Sequence, residues 1–261
     1  MNRLRKFVRP KEHNCRNVGL MDSRLGGWNL AEIGQLADGF TITADDTVID
    51  VGCGEGGFAN FAAYQGAEVI ATDVDDACVA KTQRKLSRSK AKSFETHVSD
   101  TNPLPVENER VSKVICMEVL EHVDDPRKFM AELVRVGKPG CQYLLTVPDP
   151  ASENLQLDLA PECYWQPPNH VRIYSHDDFR SLVEGSGLII EQTSERGFYW
   201  TMWWVFFWAS EQEFGAPEGP ILSRWTETWN AVLQSSKATQ LKTVLDKCLP
   251  KSQVIIARKA A

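Results

Sequence analysis

The chain has 261 residues, enough for one domain with elaborations or two small ones. Apolar residues at 43% and charged residues at 25% match soluble globular proteins, which excludes disorder, collagen-like repeats and a whole-chain coiled coil. A formal charge of −6 argues against broad nucleic-acid binding through phosphate neutralisation.

Residues 1–27 read as a basic N-terminal arm, with Arg3, Arg5, Lys6, Arg9, Lys11 and Arg16 set against Glu12. The arm lacks the apolar stretch of a signal peptide, so a cytoplasmic protein is expected. It suits a solvated terminus or a flap over an anionic ligand. Trp28, Ile33 and Leu36 fall at helical spacing and predict a helix over 28–37, stopped by Gly39. Strands are then predicted at 47–51, 68–73, 93–99, 111–117 and 141–147, with helices at 58–65, 76–86 and 126–136 between them. This alternation predicts a parallel sheet covered on both faces.

After Pro148 a loop rich in proline and acids is expected to run to His170. Ser175 followed by Asp178 resembles a capping box, opening a helix to Glu184, and strands follow at 188–192 and 252–257. The roughly sixty residues between these last strands should hold two or three helices and the tryptophan cluster. Six of the eight tryptophans, Trp200, Trp203, Trp204, Trp208, Trp225 and Trp229, lie there.

The strongest chemical signal is the run from Val48 to Gly56, VIDVGCGEG. A strand entering Gly52-Cys53-Gly54-Glu55-Gly56 lets the backbone turn sharply and approach a ligand, with the next helix's N-terminal amides facing the site. The spacing is G-x-G-x-G, where a pyrophosphate loop has G-x-G-x-x-G, although Gly57 blurs the distinction. Asp50 and Glu55 would repel a pyrophosphate and suit a ligand that carries positive charge. Asp73, at the end of the second strand, can accept hydrogen bonds from two ribose hydroxyls. Asp100, at the end of the third, is placed to receive an adenine amino group.

With VIDVGCGEG at 48–56, ATDVD at 71–75, SDTNPLP at 99–105, MEVLEHVDDP at 117–126 and KPG at 138–140, the chain resembles the class I S-adenosylmethionine-dependent methyltransferases, in their small-molecule branch. The resemblance covers roughly 28–194 and returns at 252–257. It implies a Rossmann-like seven-stranded α/β sheet, mostly parallel with its last strand antiparallel, in one domain over 28–261. The segment at about 195–250 becomes a helical insertion between strands six and seven. It also implies that Asp50, Gly52, Cys53, Gly54 and Gly56 hold the methionine end of S-adenosylmethionine, Asp73 the ribose, and Asp100 with the Thr101 amide the adenine. Val74 joins this cofactor set, and Met117, Glu118 and His122 line the methionine and reaction side. The usual K-P-G-G turn reads Lys138-Pro139-Gly140-Cys141, a departure in a turn outside the site.

Methyl transfer needs the nucleophile held in line with the methyl carbon and water kept out. A base matters when the acceptor is a protonated hydroxyl. Of the five histidines, His13 lies in the arm, while His97 and His176 sit where structural roles suffice. His122 suits a wall beside the cofactor. His170, in a loop beyond the fifth strand's C-terminal end, is the candidate base, with Arg172 and Tyr174 as weaker candidates for orienting an acceptor. Residues 198–208 include only Thr201 as a clearly polar side chain and are too short to span a bilayer. They suit a buried helix, an apolar or lipid-like acceptor pocket, a peripheral membrane contact or a homodimer contact. Seven cysteines without a C-x-x-C pair argue against a disulfide framework or a zinc site, so no metal is expected.

The expected activity is methylation of a small molecule, at oxygen more than nitrogen, leaving S-adenosylhomocysteine as product. A nicotinamide-dependent oxidoreductase and a non-catalytic cofactor-binding subunit are the rivals.

Overall fold

The computed structural model describes residues 15–261; His13 and most of the basic arm lie outside them. Cys15–Leu25 is helix α1, so the expected arm over 1–27 is corrected in its second half. Val18, Gly19, Asp22 and Ser23 form one buried face, mostly small or polar residues that carry no apolar stripe in the sequence.

The helix expected over 28–37 is also replaced. A 3₁₀ turn at Ala31–Ile33 leads into an antiparallel hairpin of β1 (Gln35–Ala37) and β2 (Phe40–Thr41). Gly34 sits at φ +70°, and a Cβ there would meet the Ile42 carbonyl oxygen at 2.5 Å, so the chain turns where a helix would have to continue. Ile33, which a helical face would have buried, is 60% exposed.

The main sheet is built from β3 (Thr47–Val51), β4 (Glu68–Asp73), β5 (Ser93–Val98), β6 (Val111–Met117), β7 (Gly137–Pro148), β8 (Leu188–Arg196) and β9 (Ser252–Lys259), in the order β5-β4-β3-β6-β7-β9-β8. The first five strands in that order are parallel, and β9 runs antiparallel to both β7 and β8. Alternation along the strands feeds two cores. Ile49, Leu145 and Ile255 point to one face, and Val48, Leu144 and Ile256 to the other. Helices α2 (Gly57–Tyr64), α3 (Asp76–Leu86), α4 (Pro126–Val136) and α6 (His176–Gly185) connect the strands.

The fifth strand begins at Gly137, four residues before the expected start, and β8 continues to Arg196. Between β7 and α6 the expected loop holds helix α5 (Pro150–Gln156). Asp149 caps it by accepting the Ala151 N–H at 2.8 Å, and Pro150 occupies the first turn.

The insertion contains α7 (Phe198–Ala209), α8 (Pro220–Leu233) and α9 (Ala238–Cys248). It is clamped to α1 by a buried polar cluster. Asp22 accepts from Trp229 Nε1 at 2.9 Å and from Lys242 Nζ at 2.8 Å, and Lys242 also reaches Asp246 at 2.7 Å. No described helix is long and apolar enough to cross a membrane.

Candidate active site

The glycine loop leaves β3 at Gly52 (φ +72°), Gly54 (φ +49°) and Gly56 (φ +74°). The three glycines do different things. A Cβ on Gly52 would strike Val119 Cγ2 at 2.4 Å and one on Gly56 would strike Thr82 Oγ1 at 2.6 Å, so these two serve packing. A Cβ on Gly54 would meet nothing within 4 Å, so that glycine opens backbone toward free space where a ligand can lie.

Asp50 is 1% exposed and turned beneath the loop, where Oδ2 accepts the Ala59 N–H of α2 at 2.9 Å. Burial, with the nearby Asp73 charge adding to it, pushes the Asp50 carboxyl up to about 7 despite that hydrogen bond. Asp50 thus braces the loop from below. Cys53 is also buried, its thiol pushed up to about 12 by burial and the Asp50 charge, and its Sγ lies 3.7 Å from Thr82 Oγ1. The Cys53 side chain packs inward, which leaves its backbone as the part of the residue on the loop's surface.

Asp73 Oδ2 accepts the Gly54 N–H at 2.8 Å and Oδ1 accepts the Asp75 N–H at 3.0 Å, which fixes the carboxylate at the loop's edge with lone pairs to spare. Beyond it, Val74, Val98, Ser99, Asp100, Pro103 and Pro105 line an open groove of about 440 Å³. Val74 is 71% exposed, an apolar platform beside the Asp100 carboxylate. The Thr101 amide, expected to read an adenine, donates to Ser99 Oγ at 3.0 Å in the wall of the same groove.

A second cavity, of about 360 Å³, opens where β6 and β9 meet α7, and its walls include Met117, Glu118, His122, His170, Trp200 and Trp204. Glu118 has φ +55°, and its Oε1 accepts from Thr146 Oγ1 at 2.8 Å while Oε2 pairs with Lys251 Nζ at 3.0 Å. Burial would raise its carboxyl, but the Lys251 ammonium and hydrogen bonds from Thr146 and Ser252 hold it below the usual range. Glu121, 1% exposed, has no hydrogen-bond partner at either oxygen. Burial and the Glu118 charge push it well above the usual carboxylate range.

His170, 8% exposed, donates from Nδ1 to Glu153 Oε2 at 2.5 Å and sets Nε2 3.4 Å from the Tyr164 hydroxyl. His122 donates from Nδ1 to the Pro168 carbonyl at 3.1 Å, and burial and His170 lower its pKa. The two imidazoles meet edge to face at 4.9 Å. Glu153 was not anticipated; the signal that could have found it was the Asp149-Pro150 start of α5, one turn before it. Arg172 and Tyr174 point elsewhere, to the Asp124 carbonyl at 3.0 Å and the Leu120 carbonyl at 3.2 Å, which removes them as acceptor-orienting groups. His97 pairs with Glu95 at 3.3 Å and His176 with Asp149 at 2.8 Å, away from the cavity.

The tryptophans divide by role. Trp200 and Trp204 face the cavity, Trp208 donates to Gln156 Oε1 at 2.9 Å to seat α7 on α5, and Trp225 and Trp229 stack with Tyr199 to join α8 to α7.

Residues 26–193, well over half of the chain, match the methyltransferase domain family. A protein from Mycolicibacterium smegmatis, named "Probable S-adenosylmethionine-dependent methyltransferase", is 28% identical over 146 residues, 56% of this chain and 53% of that protein. A ubiquinone biosynthesis O-methyltransferase from Hahella chejuensis is 37% identical over 106 residues, 38% of this chain and 42% of that protein. The chain thus spans about half the length, or less, of these curated relatives. The crystal structure of a SAM dependent methyltransferase from Aquifex aeolicus shares the fold, with a TM-score of 0.51 and 23% identity over 70% of this chain and 92% of that one. With its glycine loop, the acids at successive strand ends and the sheet order, the chain belongs to the class I S-adenosylmethionine-dependent methyltransferases.

Proposed function

We propose that the protein transfers a methyl group from S-adenosylmethionine to the hydroxyl of a small, largely apolar acceptor held in the 360 Å³ cavity. When bound, S-adenosylmethionine supplies a methyl already activated on a sulfonium. The residues fit it: Gly54 leaves room against the backbone, and Asp73 and Asp100 offer acceptors at the C-terminal ends of β4 and β5, while Glu55 of the loop is paired with Lys81. Met117 and Glu118, at the C-terminal end of β6, line the cavity and are assigned to its reaction side. The observation that carries the reading is a groove and an aromatic cavity both at the C-terminal ends of the parallel strands, the cavity containing a histidine held by a buried carboxylate.

The Glu153–His170 pair supports oxygen as the methylated atom. Glu153 fixes the Nδ1–H tautomer and leaves His170 Nε2 as the acceptor of a hydroxyl proton. His122 acts as a wall that positions the substrate. Trp200 and Trp204 supply the apolar surface and exclude water. Exposed Phe214 packs against the cavity residue Trp204 and offers an apolar surface beside it for an apolar acceptor, a membrane or a second copy of the chain. A reducing cytoplasmic setting suits the seven free cysteines.

The test is calorimetry with S-adenosylhomocysteine and with NAD, followed by turnover of hydroxylated aromatic and prenylated compounds by wild type and His170→Ala. Binding of S-adenosylhomocysteine without NAD binding, and turnover lost in His170→Ala with cofactor affinity retained, are expected. NAD binding in place of S-adenosylhomocysteine refutes the reading, and unchanged turnover in His170→Ala removes the base.

A further inference from the structure

Among the described residues, one carboxylate oxygen of Glu121 and one ring nitrogen from each of His122 and His170 lie within 4.8 Å of one another. Each is prepared in a way that catalysis by a lone base does not require. Both Glu121 oxygens are buried and unpartnered, a costly arrangement unless a donor or cation completes it. His122 and His170 both spend Nδ1 outward, on the Pro168 carbonyl and the Glu153 carboxylate, which fixes their tautomers and leaves Nε2 as the ligating nitrogen of each, that of His170 facing only the Tyr164 hydroxyl at 3.4 Å. This carbonyl- or carboxylate-to-histidine support is the usual outer shell of histidine metal ligands. His122 Nε2 lies 3.8 Å from Glu121 Oε1, so small side-chain rotations bring the atoms to coordination distance.

We propose that Glu121, His122 and His170 form a binding site for a first-row divalent cation at the floor of the acceptor cavity. Two imidazoles and one carboxylate suit zinc, iron, cobalt or manganese better than magnesium or calcium, which favour all-oxygen shells. Three protein ligands leave positions open toward the cavity, where an oxygen of the acceptor completes the shell. This inference departs from the expectation of a metal-free protein. The cation site stands without the methyl-transfer reading; its role in turnover rests on that reading. In the cation-free protein, His170 Nε2 takes the acceptor proton. With the cation seated, that nitrogen is a ligand, and the coordinated hydroxyl loses its proton to water as its pKa falls. The O–CH₃ bond then forms as the S–CH₃ bond breaks, leaving a neutral thioether, with nothing oxidised or reduced.

The experiment is a titration of the chelator-treated full chain with Co²⁺, read by visible absorption and calorimetry, with S-adenosylhomocysteine affinity measured on the same preparation. One Co²⁺ per chain, with d–d bands of a histidine- and carboxylate-ligated ion, is expected. Glu121→Gln and His170→Asn should each weaken binding at least tenfold, Glu153→Gln by about 10- to 100-fold through loss of support, and His97→Ala should bind as wild type. Failure of wild type to bind Co²⁺ stoichiometrically at micromolar concentration overturns the site, as does equal binding by Glu121→Gln and His170→Asn. Should those variants not fold, the wild-type stoichiometry and spectrum still decide. Cofactor affinity without Co²⁺ binding defeats this proposal alone; Co²⁺ binding without cofactor affinity defeats the methyl-transfer reading and leaves the site.

Discussion

Replacing Asp50 with Asn tests whether a cofactor loop is held from beneath by an acid that the fold would rather keep neutral. The Asp50 carboxyl moves from 3.8 to about 7 on burial, and its one described hydrogen bond is from the Ala59 N–H. The sign follows from proton counts. Between pH 4 and 7 the folded chain keeps a proton that the unfolded chain has lost, so stability is full below the unfolded pKa and declines as pH rises through the folded one. At about 1.4 kcal/mol per pKa unit, the loss is on the order of 2 kcal/mol at pH 5 and 4 kcal/mol at pH 7.5. Asparagine keeps the acceptor for Ala59 and cannot ionise. The stability advantage of Asp50→Asn over wild type should therefore grow by roughly 2.5 kcal/mol between pH 5 and pH 7.5, a relative Tm shift of about 5–10 °C for a domain of this size. Urea denaturation at the two pH values, without cofactor, measures it. An advantage that stays constant, or shrinks as pH rises, refutes the account of Asp50 as a strained buried acid.

Gly54→Ala should lower S-adenosylhomocysteine affinity about tenfold or more with a small change in Tm, because only ligand space and a positive φ are affected. Gly56→Ala should instead destabilise the fold by about 1–3 kcal/mol through collision with Thr82, and differential scanning calorimetry separates the two. Lys242→Met should cost on the order of 3 kcal/mol at pH 7, since it strands Asp22 and Asp246, and less at pH 5 where a stranded carboxyl can protonate; denaturant midpoints at both pH values check this. Glu153→Gln should reduce turnover at least tenfold while leaving S-adenosylhomocysteine affinity within about twofold, as expected of a positioning group.

Much of the architecture was readable because β-branched runs and glycine clusters are local signals. The run from Thr47 to Gly56 announces a buried strand and a loop without reference to anything distant, and the acids at 73 and 100 follow from strand ends. The misreadings have non-local causes. Whether 28–37 becomes a helix or a hairpin turns on the proximity of Gly34 to Ile42, and α1 buries a face only because helices two hundred residues away cover it. The same holds within the site. His170 was visible as a loop histidine, but its orientation depends on Glu153, seventeen residues earlier, and Glu118 on Lys251. Asp50, Cys53 and Thr101 were correctly grouped with the loop and strand ends, yet composition could not show that the first two side chains turn inward or that the Thr101 amide is already bonded.

The placement of β9 between β7 and β8 gives the two halves of the site different histories during synthesis. The groove at Asp73 and Asp100 is formed by strands that precede residue 150 and pair with one another. The cavity waits for Lys251, Ser252 and the strand that follows them. Until that strand emerges, β7 offers an open edge, and β8 has no neighbour in the sheet. An incompletely translated chain would therefore present a largely assembled nucleoside groove beside an exposed, aggregation-prone sheet edge, with its acceptor cavity unfinished.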